Sequence, residues 1–353
     1  MEAVLRAHRP APWFGLLLSF GCAQPGGPVF EELERPIRWP PEPAPARIRY
    51  VGQLTRAADL KPPTGFLEEI GDFLAGEPEP QRLYGPRAVV CTPDGSAVWI
   101  ADPGGRCLHR FDLQDRGYLR VEKFGESLVL SPVGLCLGPA DSIYVCDSEE
   151  IAIHRLSAAD GSLIESLPLP EDLRRPVALA YDPDEDQLYV ADVESHDIKV
   201  LGRDGTVRAR IGRRGSEAGE FNYPCDLIDD GQLLWVVDSG NHRVQGLTHQ
   251  GEPILSIGSE GDSPGNLALP KSAAVDSDGH LYVVDARFEN IQIFDRAGRL
   301  LLFFGEEGTG PGEFWLPGGL FIDRNDRIWL CDTYNNRIQV FDYLREVADE
   351  ADR

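Results

Sequence analysis

The chain has 353 residues, 42% hydrophobic and 26% charged, enough to bury a large core in one big domain or two ordinary ones. Its 34 basic and 58 acidic residues give a formal net charge of -24. Such a chain repels phosphate backbones unless it carries a strongly basic face, and no basic cluster is present, so nucleic acid is excluded as an expected partner.

Residues 1–22 read as an export signal: Arg6 and Arg9, the short apolar run Phe14–Gly21, then Cys22 after a small residue. This segment resembles a bacterial lipoprotein signal, which implies lipid attachment at Cys22 and a cell-envelope location. The fit is incomplete, because Phe20 is bulky and Leu18 stands one place early. The alternative is a cytoplasmic protein with an unstructured leader. Residues 23–45, AQPGGPVFEELERPIRWPPEPAP after the cysteine, read as a proline-rich tether that holds a domain off a surface. Next, Ala46–Leu54 (ARIRYVGQL) alternates like a strand, and Gly65–Gly76 (GFLEEIGDFLAG) has the pattern of a short amphipathic helix. The last eight residues, 346–353, form an acidic tail.

Between these ends one unit repeats. IADPGGRCL, VCDSEEIAI, VADVESHDI, VVDSGNHRV, VVDARFENI and LCDTYNNRI share Asp102, Asp147, Asp192, Asp238, Asp285 and Asp332, spaced by 45 to 47 residues. A second landmark, Pro86, Pro132, Pro176, Pro224, Pro270 and Pro317, keeps step. The sixth and ninth residues after every Asp are apolar. Each unit contains four short alternating segments bounded by Gly, Asp and Pro, as in Lys271–Val275, LYVVD, IQIFD and LLFFG of the fifth. Four strands per period of this length is the pattern of a propeller blade. The expected fold is therefore an all-β, six-bladed β-propeller over residues 46–345.

The units, TYNNRIQVFD and SGNHRVQGL above all, resemble the NHL repeat family over roughly residues 82 to 343. The second and third units depart from it, with Glu150–Ile151 and His196–Asp197 in place of Asn and Arg. The family has diverse functions, so the resemblance implies the propeller and leaves the activity open. Unit six lacks a fourth strand before the chain ends, and an open ring would expose sheet edges. Ala46–Leu54 is expected to fill that place and close the ring.

A residue present six times serves the blade, so the aspartates are expected to satisfy backbone donors where the second strand turns into the third. Arg243 and Arg337 are expected to reach carbonyls or acids of neighbouring loops. The variable positions are the functional candidates. His196 and His242 occupy equivalent places on adjacent blades, but catalytic zinc normally takes three protein ligands. The peptidylglycine-amidating lyases resemble this propeller and set histidines of several blades around a central metal; here that set is incomplete. His109 and His154 are expected on an outer strand face. The stretch Asp182–Asp186 lacks the turn glycine and closing glutamate of a calcium loop, and neither a nucleophile elbow nor HExxH occurs. Cysteines such as Cys91, Cys136, Cys146 and Cys331 fall in core positions, with disulfides between neighbouring strands left open.

The first residue after each landmark proline should rim the central channel: Arg87, Val133, Val177, Cys225, Lys271 and Gly318. Long loops on the same face add Tyr223 and Trp315. Arg87 and Lys271 are two cations in an acidic protein, able to receive an anionic group or to pair with nearby acids. The sequence thus points to a monomeric, non-catalytic scaffold without a cofactor, binding protein, peptide or glycan through Arg87, Lys271, Tyr223, Cys225, His196, His242 and Trp315. The alternative is a lyase or hydrolase with zinc or calcium at the channel mouth, held by His196 and His242.

Overall fold

The computed structural model describes residues 27–61 and 81–345. The leader with Cys22, the expected helix Gly65–Gly76 and the acidic tail lie outside the described residues. The described chain is a six-bladed β-propeller. Blade one is the antiparallel sheet Ala88–Cys91, Ala97–Asp102, Cys107–Asp112, Tyr118–Val121. Blades two to five repeat that order, from Pro132, Pro176, Pro224 and Pro270. In blade five the strands are Pro270–Val275, Leu281–Asp285, Asn290–Phe294 and Leu300–Phe304, within a residue or so of the segments read from the sequence.

Blade six has three strands of its own, Leu320–Ile322, Arg327–Asp332 and Arg337–Tyr343. Its fourth comes from the other end of the chain: Ile48–Leu54 pairs antiparallel with Arg337–Tyr343, from Ile48 opposite Tyr343 to Leu54 opposite Ile338. The ring is closed as expected. The closing strand buries Ile48, Tyr50 and Leu54, and Arg49 is 2.8 Å from Asp342. A fifth, two-residue strand, Arg38–Trp39, lies outside it.

Residues 27–45 differ from a free tether. They lie against blades five and six, with Phe30 edge-on to Trp329 at 6.1 Å between ring centroids and Trp39 at 5.4 Å from Phe304 of blade five and 5.9 Å from Phe341 of blade six. The prolines do not prevent this, because the stretch also carries large apolar side chains that gain by leaving water.

The core is a set of layers between successive blades. The clearest marker stands three residues before each landmark Asp: Trp99, Tyr144, Tyr189, Trp235, Tyr282 and Trp329, each at most 1% exposed. Each fills the space between the central strands of adjacent sheets. Trp329, for example, belongs to the layer holding Leu54, Val98, Phe111 and Val340. A glycine ends the fourth strand of several blades. Gly212, Gly258 and Gly305 all have positive φ, and each lies against a buried side chain, Phe221, Leu267 and Phe314. That close approach leaves no room for a Cβ.

Candidate functional site at the channel mouth

Two local devices shape the face on which the landmark residues lie. The first is the repeated aspartate, fully buried in all six blades. Its carboxylate accepts N–H groups from the loop entering its own blade, such as Tyr84 to Asp102 at 2.7 Å, Asn222 to Asp238 at 2.6 Å and Trp315 to Asp332 at 2.8 Å. It also accepts donors of the following turn, such as Gly105 and Asn335. Arg243 and Arg337 complete the clasp. Arg337 donates to Asp332 at 2.7 Å and to the carbonyls of Thr309, Gly310 and Glu313. The repeated cluster thus holds loops in place.

The seventh residue after the aspartate joins this clasp. Lys199 donates to Asp192 at 2.8 Å, Gln339 to Asp332 at 2.9 Å, and His109 Nε2 lies 3.1 Å from Asp102. His109 and His154 are thus buried rather than on an outer face, although His154 bonds Ser166 and Glu150 in place of its aspartate. The pleat of the third strand carries this position back toward the aspartate of the second.

The fourth residue after the aspartate has a left-handed backbone in all six blades, φ between 49 and 57° at Arg106, Ile151, His196, His242, Glu289 and Asn336. Several of these side chains latch onto the next blade. His196 Nδ1 accepts the Tyr223 N–H at 3.0 Å, His242 Nδ1–H donates to the Ala268 carbonyl at 2.8 Å, and Glu289 accepts the Leu316 N–H at 2.7 Å. The two histidines thus spend Nδ1 on separate loops, one accepting and one donating. Burial, with the Arg214 charge next, keeps His196 neutral by lowering its pKa.

The second device is a β-bulge. In blades two to five the landmark proline faces the aspartate, the residue two places on faces the aspartate's predecessor, and the residue between has no partner of its own. A bulge re-aims the extra side chain. Val133, Val177, Cys225 and Lys271 accordingly line the central cavity together with Arg87; blade six contributes Gly319 instead of Gly318. The cavity is about 290 Å³ and follows the first strands down the ring axis. Its walls are largely aliphatic, with Leu135, Leu179, Leu227 and Ala273 below the mouth.

The charges at this mouth are unusual for the molecule. Among the described residues, neither the Arg87 guanidinium nor the Lys271 ammonium has a salt-bridge or hydrogen-bond partner, although the Arg87 backbone N–H donates to Ala101. Gly318 leaves space for the Arg87 guanidinium, since a Cβ there would stand 3.1 Å from Nη1. Burial, reinforced by the Arg87 charge, holds the Lys271 ammonium below the usual lysine range. Asp226, which also lines the cavity, is occupied by its neighbours. It accepts Ser272 Oγ–H at 2.5 Å and the Ala273 N–H at 3.1 Å, and burial pushes its pKa up to about 6. Cys225 is pushed up to about 11 by burial and stays a thiol at neutral pH. Asp226 was missed from the sequence although the signal was there: the equivalent positions are Ala88, Gly134, Ala178, Ser272 and Gly319.

Tyr223 and Trp315 are about half exposed on the loop face, joined there by Tyr84 and Tyr334, which the sequence reading did not single out. Trp315 and Tyr334 lie 5.7 Å apart, and Tyr223 lies 4.6 Å from His196. Elsewhere, at the far end of the first strands, Asp182, Asp229 and His249 gather metal-type ligand atoms within 4.8 Å of one another. These groups have protein partners: His249 is 3.0 Å from Asp229, and Asp182 accepts from Gln187 at 3.1 Å. The six described cysteines are free thiols.

Comparison with known proteins agrees with this architecture. Residues 267–348 match a family model described as a 6-bladed beta-propeller. NHL repeat-containing protein 2 of Bos taurus is 28% identical over 146 residues, 32% of this chain. The matched region spans about a fifth (20%) of that relative's length. Among solved structures, a streptogramin B lyase superposes with a TM-score of 0.56 at 15% identity, covering 74% of this chain and 94% of that one. Virginiamycin B lyase from Staphylococcus aureus gives 0.54 at 15% identity, covering 77% and 86%. At such identities the likeness to these structures is one of fold.

Proposed function

Starting from a chain that is an NHL-repeat six-bladed β-propeller, we propose that it is a non-catalytic binding scaffold that holds a protein, peptide or glycan on its loop face. The observation that carries this reading is the contrast between repeated and variable positions. The repeated polar residues are consumed by loop clasps, whereas the variable ones put Tyr84, Tyr223, Trp315 and Tyr334 in solvent around two unpaired cations. Exposed aromatic side chains beside buried-edge cations are the composition of a recognition surface. The leader supports export and envelope attachment through Cys22, with no nucleic-acid partner expected of so acidic a chain.

The test is a screen of the protein against peptide and glycan arrays, repeated with Tyr223→Ala/Trp315→Ala. Saturable binding that the double variant loses by tenfold or more is the expected result. The opposing reading is a metal-dependent lyase or hydrolase; two of the structures that share the fold are named as lyases. A stoichiometric metal lost in His196→Ala/His242→Ala, together with turnover of a substrate, would overturn the scaffold. Localisation is tested separately, by membrane fractionation of the Cys22→Ser variant in a bacterial host.

A further inference from the structure

This inference rests on the scaffold reading and names the chemical group that the channel receives. We propose that the mouth takes a carboxylate carried on a slim apolar stem, with the carboxylate between Arg87 and Lys271 and the stem running down the channel.

The other cations that this molecule buries all have partners, which points to an anion here. Lys199 is fully buried and sits between Asp192 and Asp197, 2.8 Å from each. Arg337 is shared by a carboxylate and three carbonyls. Arg155 pairs with Glu165 at 3.0 Å. With 58 acidic residues in the chain, partners are plentiful. Arg87 and Lys271 nonetheless face one cavity without one. Two like charges withdrawn from water at one mouth are costly alone and favourable around an anion. Asp226 does not supply it, since its oxygens are held by Ser272 and the backbone and it lies at the edge of losing its charge.

The apolar stem follows from the walls. Below the cations the cavity is lined by Val133, Val177, Leu135, Leu179 and Leu227. The backbone N–H groups of Arg87 and Gly318 are spent on Ala101 and Cys331, both at 2.8 Å. A sugar or a phosphate would find two side chains and few further donors; an aliphatic stem loses nothing there. The far end of the channel disfavours a second anionic head, because Asp229 and Asp230 line it. Those acids are already compensated, by His249 at 3.0 Å and the Trp235 indole N–H at 3.0 Å, so they do not call for a cation either.

A terminal carboxylate on such a stem has two sources, a small free acid or the C-terminus of a peptide ending in an aliphatic residue. The test uses the full chain with hexanoate, hexan-1-ol, hexylammonium and inorganic phosphate, followed by calorimetry and ligand-detected NMR. A pentapeptide ending in leucine, with its C-terminus free or amidated, forms the second arm. Hexanoate is expected to bind at least tenfold more tightly than the alcohol or the amine. Arg87→Met and Lys271→Met should each weaken it tenfold or more, and Val177→Phe should abolish it. Thermal melts confirm that these variants fold, and Arg87→Gln serves if Arg87→Met does not. Tighter binding of the free-ended peptide than of hexanoate, lost on amidation, identifies a peptide terminus; the reverse order identifies a free acid. The proposal is overturned if no carboxylate binds at millimolar concentration, if Arg87→Met binds as well as the parent, or if phosphate competes better than hexanoate. Array binding through Tyr223 and Trp315 without hexanoate binding would sink this inference alone, and hexanoate binding without array binding would sink only the wider scaffold reading.

Discussion

Replacing Lys199 by methionine should remove about 3–5 kcal/mol of stability at neutral pH, because it leaves buried carboxylates without their cation. Lys199 and Asp192 are both fully buried, and the ammonium lies 2.8 Å from Asp192 and 2.8 Å from Asp197. Against the cost of burial, Lys199 and the N–H groups of Arg174 and Arg175 hold the Asp192 pKa at about 2, below the ordinary 3.8. That depression corresponds to about 2 kcal/mol of stability, present above the unfolded-state value and lost as pH falls through the folded one. Without Lys199 the folded-state pKa rises, so the penalty of the variant is greatest at neutral pH and narrows below about pH 4. Urea denaturation at pH 7, 5 and 3 reads this directly, since urea leaves the ionic strength unchanged. Lys199→Gln should cost less, because Gln245 and Gln339 donate to the same aspartate in other blades. A penalty that is pH-independent, or below about 1 kcal/mol, would refute the reasoning.

Leu54→Ala, at the end of the closing strand, should cost about 2–5 kcal/mol in urea melts, as the side chain is fully buried against Leu83, Trp329 and Ile338. Removing residues 46–54 altogether should abolish the cooperative transition. Gly305→Ala should cost about 2–4 kcal/mol by the same assay, since φ there is 95° and a Cβ would run into the Phe314 ring. His196, neutral because its pKa is lowered, contributes stability above pH 6.5 that is lost as pH falls through its folded value. Urea melts from pH 7 to 5 should therefore slope less steeply in His196→Gln.

The ring was legible because each blade needs the same backbone chemistry, which stamps Asp, Pro and apolar positions on the sequence at one period. The rim was legible for a related reason: a bulge next to each proline aims one residue inward, so counting from Pro224 or Pro270 finds Cys225 or Lys271. What counting could not supply was direction. His242 reads in the sequence as a loop-face candidate, and as a metal ligand only in the alternative; the left-handed turn that ends in it turns its ring toward Ala268. His109 reads as an outer residue, yet the pleat returns it to Asp102. Asp226 differs from small residues at the equivalent places, and only burial beside Ser272 shows that its carboxyl is already used. Nor does composition reveal that Trp39 and Phe30 fasten a proline-rich stretch to blades five and six.

The closing strand also sets an order of events during translation. Ile48–Leu54 emerges from the ribosome long before its partner Arg337–Tyr343, and the bond from Arg49 to Asp342 spans 293 positions. Until then the finished blades form an arc with two unpaired ends, and the most non-local contacts of the fold are still missing. A ribosome stalled within the final blade would hold a chain whose first strand is already available to a neighbouring nascent copy. The same geometry brings the ends of the ring together, Ile48 opposite Tyr343. Circular permutation that joins those ends by a short linker, and opens the chain in a turn between two other blades, would let the closing sheet form from adjacent residues.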